Sequence, residues 1–202
     1  MPNPVLGNAN VQAWLAVLRH AEGTANRKNP YGTAFTGAQF NNNRPHPGTV
    51  YRSSGYASAA HGAYQFMPDT WKGVWGGRNL PMTPANQDLA AVKLMQARGV
   101  DPTKPLTREA LAKLAPEWAS LPTLAGKSAY GQPVKAFNDL MKVFNNTYSR
   151  APSTQLSINR PTPPPTPAPS SGLDQSSPLS IPTRLSPADL INSAVKGLGI
   201  SL

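Results

Sequence analysis

Apolar residues near the start of the chain recur with the period of a helix. They fall at positions i, i+3, i+4 and i+7, which form one stripe along an α-helix. These residues are Val11, Trp14, Leu15 and Leu18. Asn8 or Asn10 can cap the amino end, and Gly23 is typical of the residue that follows a helix. The pattern therefore predicts an amphipathic helix that ends close to Glu22.

Helical patterns return in four later segments, at 61–74, 84–98, 107–115 and 133–146. Residues 33–60 differ, because they are rich in Gly, Asn, Ser and Thr and therefore predict a long loop. A small hairpin is expected inside this loop. Its strand-forming residues are Thr49, Val50, Tyr51 and Tyr56. The predicted fold class is α+β and mainly helical.

The composition changes sharply after Arg150. Proline and serine dominate 151–185, and such a segment lacks amide donors and apolar mass, so we expect an extended tether there. Residues 186–202 predict a short amphipathic helix with Ser186 as N-cap. Its apolar stripe consists of Leu190, Ile191, Ala194 and Val195. A helix this short is unstable alone, so it should dock on the domain formed by 1–150 or on another protein, and a disordered end is the remaining alternative.

Composition removes several classes of site and partner. The 202 residues include no cysteine, so disulfides, thiolate metal sites and cysteine nucleophiles are excluded. The formal net charge of +10 favours polyanionic partners. Basic residues are scattered, however, and only Arg27 and Lys28 are adjacent, so no nucleic-acid partner is expected. We also expect no secretory signal and no membrane span, since no segment approaches roughly 20 apolar residues.

Glu22 lies one helical turn beyond Leu18, on the face that the apolar residues occupy. Partial burial and the carbonyl end of the helix both disfavour a negative charge, so we expect the pKa of this carboxyl to be raised. A carboxylic acid that stays protonated near neutral pH can protonate the leaving oxygen of a glycosidic bond. The alternative is a last-turn glutamate that only contacts solvent or a helix cap. Carboxylates are scarce here, because the next one along the chain is Asp69.

Four segments, in the same order along the chain, resemble those of one family. Residues 15–24 (LAVLRHAEGT) resemble the end of the catalytic helix of lambda-type phage endolysins, in which a glutamate before Gly-Thr is the catalytic acid. Residues 62–71 (GAYQFMPDTW) resemble the family's Gly-x-Tyr-Gln segment, 96–99 its helix end, and 117–122 with 130–132 its cleft wall. These endolysins are lytic transglycosylases of the lysozyme superfamily. The resemblance covers about 15–132 and implies a lysozyme-like domain with a small β-hairpin lobe.

The resemblance also implies a set of substrate-binding residues around Glu22. An amide that donates and accepts suits the N-acetyl and hydroxyl groups of a sugar, and an aromatic ring packs on its apolar face. The residues are Tyr64 and Gln65 on the cleft floor, Trp118 and Tyr130 on its walls, and Ser120, which would shape the site by hydrogen bonding. For the three aromatic residues, a place in the core is the alternative. For Gln65, it is a buried amide whose hydrogen bonds are satisfied within the protein.

Neither a metal nor another cofactor is expected. His20, His46 and His61 are dispersed along the chain, and no two of them have the spacing of a metal-binding pair. His61 is expected to lie in an exposed loop, and a place at the border of the cleft is the alternative.

The family's reaction uses no second carboxylate. The acid protonates the leaving oxygen and then takes a proton from the C6 hydroxyl of N-acetylmuramate, which closes on C1 to form a 1,6-anhydro sugar. The resemblance thus implies an enzyme that acts on bacterial peptidoglycan with Glu22 in both roles. A hydrolytic lysozyme is one alternative, with Asp69 as the nearest candidate second carboxylate, although its placement suggests a helix cap. An inactive virion structural or wall-binding protein is the other.

Two places of action are open. A free endolysin would act from the host cytoplasm and reach the wall through holin lesions. An anchored enzyme would belong to the virion, with 186–202 attached to a tail or capsid protein. The tether and the terminal helix favour anchoring, because a diffusing enzyme needs neither.

Overall fold

The computed structural model describes residues 3–53, 55–131 and 133–151. Within them lie five α-helices and a two-stranded antiparallel sheet. The helices are α1 (Ala9–Ala21), α2 (Pro68–Val74), α3 (Pro84–Ala97), α4 (Arg108–Leu114) and α5 (Phe137–Arg150). The strands are β1 (Tyr51–Ser53) and β2 (Tyr56–Ser58). The prediction of a mainly helical α+β fold is confirmed.

Helix α1 lies at the centre of the core. The side chain of Asn8 caps its start by accepting hydrogen bonds from the amides of Asn10 and Val11, at 2.9 and 3.3 Å. After the helix, Gly23 adopts a φ of 70°, as expected for a residue that ends a helix. Buried positions extend well beyond the predicted stripe, to Val11, Ala13, Trp14, Leu15, Val17, Leu18 and Ala21. A helix that is apolar on most sides has to be enclosed by other elements.

Helix α5 packs along α1. The ring of Phe144 meets the ring of Trp14 edge-on, with the centroids 5.9 Å apart, and Leu140 belongs to the same core. The helix begins at Phe137 rather than at the predicted residue 133, because Ala136 keeps an extended backbone with ψ 139°. Helix α5 thus covers one side of α1.

The predicted hairpin is confirmed, and it is short. Tyr51 pairs with Ser58, and Ser53 pairs with Tyr56. Val50 precedes the first strand and its side chain is largely exposed, as is that of Tyr56. The hairpin therefore adds little apolar area to the core.

The helix predicted over 61–74 is wrong in its first half. Only Pro68–Val74 is helical. His61 and Phe66 instead pair as a tight β-bridge, with N···O distances of 3.0 and 2.9 Å in the two directions. Gly62 has a φ of 85° and Gln65 a φ of 50°, and both values are incompatible with a right-handed helix. The segment is a turn that carries Gln65 at its end.

Gln87 ties α3 to this turn. It is fully buried, and its Oε1 accepts a hydrogen bond from the amide of Ala63 at 2.8 Å. Its Nε2 donates to the carbonyls of Tyr31 and Met82 at 2.9 and 2.5 Å. Because a buried amide is costly unless its donors and acceptor are satisfied, these bonds fix the turn against α3.

The tether predicted over 151–185, apart from Ala151, and the helix predicted over 186–202 lie outside the described residues. Helix α5 ends at Arg150, next to the predicted boundary. Within the described part of the chain, each helix is too short or too polar to cross a bilayer.

Gly62→Ala should destabilise the protein more than Gly99→Ala does. Both glycines have positive φ, so each substitution carries a backbone strain of roughly 1–2 kcal/mol. At position 62 the new methyl group would also collide with Gln87 Oε1, whereas nothing lies within 4 Å of the corresponding point at Gly99. Disturbing that buried amide should add about 1–3 kcal/mol. Urea unfolding of both variants measures the difference, and equal losses would contradict the role given to Gln87.

Candidate active site

Glu22 ends α1 at the border between the core and the surface. Its amide donates to the carbonyl of Leu18 at 2.9 Å, which continues the helix by one residue. Immediately afterwards the chain turns at Gly23, and Thr24 Oγ1 donates to the carbonyl of Ala63 at 2.6 Å. The end of α1 is thereby joined to the 61–66 turn, and the side chain of Glu22 is left half-buried between them.

The carboxyl group lines a small hollow. Glu22 and Gln65 face it from two sides, and its enclosed part measures about 20 Å³, room for about one water molecule. The exposed side chains of Arg27 and Phe35 stand at its rim, so the hollow opens to solvent. The remaining lining residues are Gly23, Thr24, Thr33, Ala34 and Gly37.

Ser120 is the hydrogen-bond partner of Glu22. Its Oγ donates to Glu22 Oε1 at 2.5 Å, although 98 positions separate the two residues in the sequence. The serine is held from both sides: the amide of Leu121 donates to the carbonyl of Trp118 at 2.9 Å, and the amide of Lys135 donates to the carbonyl of Ser120 at 3.1 Å. The hydroxyl is thus fixed in position to contact the carboxyl group.

Burial raises the pKa of Glu22 from 4.5 to about 7, and the hydrogen bond from Ser120 opposes this increase. Desolvation favours the neutral form, and a hydroxyl that donates to the carboxylate favours the charged one. Among the described residues that line the hollow, Glu22 is the only carboxylate. The group can therefore hold a proton near neutral pH and release it there.

Asp69 does not lie in the hollow and does not cap a helix. It is exposed in the first turn of α2, and the N-cap of this helix is Met67. The expectation that Asp69 is a helix cap is therefore wrong, because the helix begins at Pro68, one residue before it.

Gln65 approaches the hollow with a constrained side chain. Its Nε2 donates to the carbonyls of Gly62 and Thr33, at 2.8 and 3.2 Å. No hydrogen bond to its Oε1 comes from the described residues. Because both bonds to the chain use the amide nitrogen, the amide oxygen is the group that remains for a ligand.

Tyr64 and Trp118 lie in the core, so the predictions that their side chains line the cleft are wrong. Tyr64 is 0% exposed and Trp118 is 4% exposed. The indole Nε1 of Trp118 donates to the carbonyl of Tyr64 at 3.2 Å. This bond joins the segment that carries Ser120 to the turn that carries Gln65. Large aromatic side chains beside a turn pack inwards because they bury the most apolar area.

The hydroxyl of Tyr64 belongs to a polar network beneath the site. It donates to Asp88 Oδ1 at 2.5 Å and accepts from Arg19 Nη1 at 2.7 Å. The hydroxyl of Tyr31 also donates to Asp88, at 2.9 Å. Burial raises the pKa of Asp88, and the two tyrosine hydroxyls and Arg19 counteract this. The network links the last turn of α1 to α3.

Tyr130 remains on the surface, away from the hollow. It is 63% exposed, and its hydroxyl donates to the carbonyl of Pro116 at 2.8 Å. It is not among the residues that line the hollow. Its assignment to a sugar-binding wall stays a prediction.

The histidines differ from expectation in two respects. His61 is fully buried rather than exposed, and its ring lies 4.8 Å from the ring of His46. His46 Nε2 contacts the carbonyl of Phe66 at 2.9 Å, and its Nδ1 accepts from the amide of Gly48. Burial lowers the pKa of both histidines. The described residues contain no group of three or more His, Asp or Glu that could hold a metal ion.

Arg27, Thr33 and Phe35 line the hollow without being among the predicted site residues. Arg27 carried a weak signal, because Arg27-Lys28 is the one adjacent basic pair of the sequence and follows Glu22 closely. Thr33 and Phe35 carried none, since they lie in a loop without periodicity.

Glu22→Gln should stabilise the protein at alkaline pH but not at acidic pH. The folded pKa, about 7, lies above the value of 4.5 for a free carboxyl, so the folded state binds this proton more tightly. The stability that the proton contributes is complete below about pH 4.5 and is lost as the pH rises through 7. The difference in free energy of unfolding between the variant and the parent should therefore shift by about 2–3 kcal/mol in favour of the variant when the pH is raised from 4 to 8. Urea unfolding at both values tests this, and a pH-independent difference would contradict the raised pKa.

Comparisons with known proteins agree with this arrangement. The family model described as Endolysin matches residues 12–151. Among solved structures, the lysozyme of bacteriophage lambda in complex with a chitohexasaccharide is similar, with a TM-score of 0.61 and 26% identity over 69% of this chain and 94% of that one. A comparison with curated proteins finds no match. The expected lysozyme-like fold is confirmed, and the chain belongs to the endolysin family, phage enzymes that degrade bacterial peptidoglycan.

Proposed function

We propose that this chain cleaves the β-1,4 bond between N-acetylmuramate and N-acetylglucosamine, with Glu22 as general acid and base. The observation that carries the proposal is a single carboxyl group with a pKa of about 7, in a hollow that opens to solvent. A general acid works best when its pKa lies near the working pH, because both proton donation and proton uptake are then accessible. The chitohexasaccharide in the lambda lysozyme supports a β-linked glycan as the ligand class.

The reaction we propose is non-hydrolytic. The proton of Glu22 moves to the glycosidic oxygen as the bond between this oxygen and muramyl C1 breaks. The resulting carboxylate then removes the proton of the C6 hydroxyl, and O6 bonds to C1, so that a 1,6-anhydro ring forms and Glu22 is protonated again. Retaining and inverting hydrolases normally place two carboxyl groups about 5–9.5 Å apart. Glu22 has no such partner among the described residues of the hollow, which favours the one-carboxylate route.

Three neighbours of Glu22 have chemistry that suits a sugar. The amide oxygen of Gln65 can accept from a hydroxyl or an N-acetyl N–H group. The ring of Phe35, 37% exposed at the rim, offers an apolar surface to a pyranose face. Arg27 adds a donor and a positive charge on the same rim. Together they provide polar and apolar contacts in the hollow that holds the acid.

A hydrolytic lysozyme is the second candidate. One observation favours it: the enclosed part of the hollow has the room of about one water molecule, which could attack C1 in place of O6. The two reactions differ in their products, since hydrolysis leaves a reducing muramate end.

Digestion of purified peptidoglycan should release fragments with 1,6-anhydro-muramyl ends, identified by mass spectrometry. Reducing ends instead would establish the hydrolytic reaction. Glu22→Gln should lower the rate at least about 1,000-fold, because the neutral amide can neither donate nor take up the proton. Asp69→Asn is the matched control and should keep the parental rate, since Asp69 lies outside the hollow. Equal clearing of cell walls by Glu22→Gln and the parent would instead indicate an inert wall-binding module.

Activity should fall as the pH rises through about 7, because the acid must be protonated when the substrate binds. Ser120→Ala should move this decline to higher pH, since the hydroxyl stabilises the charged carboxylate and lowers its pKa. Ser128→Ala is the control, because Ser128 Oγ donates to the carbonyl of Ala119 and not to Glu22. Profiles of kcat/KM against pH for the three proteins test this. A decline at the same pH in all three would remove Ser120 from any role in setting the acid's pKa.

A further inference from the structure

A second pocket lies beside the segment that carries Ser120. It has a volume of about 230 Å³ and is enclosed by α4, the residues that follow Leu121 and the start of α5. Pockets that take a whole drug-sized ligand measure roughly 300–1,000 Å³. This pocket is smaller and therefore suits a branch of a larger molecule. Its principal lining residues are Arg108, Leu111, Pro122, Leu124, Lys135 and Phe137.

The pocket combines an apolar surface with positive charge. Leu111 is fully buried at its base, and Leu124 is 67% exposed at its edge. The guanidinium of Arg108 lies 4.0 Å from the centroid of the Phe137 ring, which keeps the charge against the apolar wall. Within the described part of the chain, neither Arg108 nor Lys135 forms a salt bridge. Two such cations around apolar side chains favour a ligand that has both carboxylates and alkyl groups.

Ser120 connects this pocket to Glu22 through hydrogen bonds, although the pocket and the hollow share no lining residue. Lys135 belongs to the pocket, and its amide donates to the carbonyl of Ser120 at 3.1 Å. The hydroxyl of the same serine donates to Glu22 at 2.5 Å. Pro122, on the pocket wall, follows Ser120 by two positions. Ser120 thus lies between Glu22 and the pocket, and a ligand bound at Glu22 has to extend past this residue to enter the pocket.

We propose that this pocket binds the acidic peptide that peptidoglycan carries on its muramyl units. The inference rests on the proposed function, since a muramyl unit must occupy the site of Glu22. The peptide is attached through the lactyl group at C3 of this sugar, and it presents free carboxylates and short alkyl side chains. The carboxylates match Arg108 and Lys135, and the alkyl groups match Leu111, Leu124 and Phe137. A glycan without peptides leaves the pocket empty.

The test compares two substrates with the full-length chain: peptidoglycan strands that carry their peptides, and the same strands after an amidase has removed them. The parent should show a higher kcat/KM on the peptide-bearing strands. In the double variant Arg108→Ala/Lys135→Ala, the ratio of the two kcat/KM values should fall by about tenfold, mainly through KM on the peptide-bearing strands. Lys135→Glu alone should lower the ratio too, because it reverses one charge at the pocket.

A control variant distinguishes binding in the pocket from general attraction by the net charge of the protein. Lys104→Ala/Arg150→Ala removes the same charge from exposed positions outside both pockets and should keep the parental ratio. Equal cleavage of the two substrates by the parent, or the same ratio in the pocket variant and the parent, would overturn the inference. If both double variants lowered the ratio equally, net charge rather than the pocket would explain the preference, and the inference would be overturned. Cleavage of neither substrate would instead refute the proposed function itself.

Discussion

Burial of helix α1 extends to Glu22, the residue that follows its end, and sets the chemistry of this carboxyl group. Most positions of the helix are buried, so the carboxyl group of Glu22 is only partly exposed, in a hollow that opens to solvent. Its protonation is therefore governed by packing rather than by a neighbouring charge, since desolvation is the main cause of its raised pKa. Opening of the packing around Glu22 would admit water and bring the pKa of the group back towards its ordinary value.

Removing the polar groups of the network around Asp88 from water costs free energy, and apolar burial in the rest of the core must offset it. Arg19, Tyr64 and Asp88 are largely removed from water, and partial pairing of such groups is worse than none. In return, the network links α1, α3 and the residue before Gln65 through directional bonds. Apolar packing alone allows such elements to slide, and hydrogen bonds of fixed geometry do not. The precise placement of the 61–66 turn thus depends on groups that never touch a ligand.

The sequence predicts the elements whose signals are local. Periodicity with caps locates α1, and the helical pattern over 84–98 locates α3 to within one residue. The position of Glu22 on the apolar face follows from its spacing to Leu18. The contact between Glu22 and Ser120 could not be derived in this way, because it joins residues 98 positions apart.

The errors concern features that periodicity does not encode. The pattern at 61–66 is compatible with a helix, and only the positive φ angles of Gly62 and Gln65 show that the chain turns there. Whether Tyr64 and Trp118 face the cleft or the core depends on which elements close over them. Both sit in motifs that resemble those of the family, and their burial shows that a motif residue can support a site without lining it.

Gln65 is the one non-glycine residue with positive φ in the described part of the chain, and its amide nitrogen is already committed to two carbonyls. Such a backbone conformation carries a strain of about 1–3 kcal/mol, which the fold sustains before any ligand arrives. The side chain therefore has little rotational freedom left to lose on association. In the function proposed above, its oxygen is an acceptor oriented in advance, so the entropic cost of ordering it falls on folding rather than on binding.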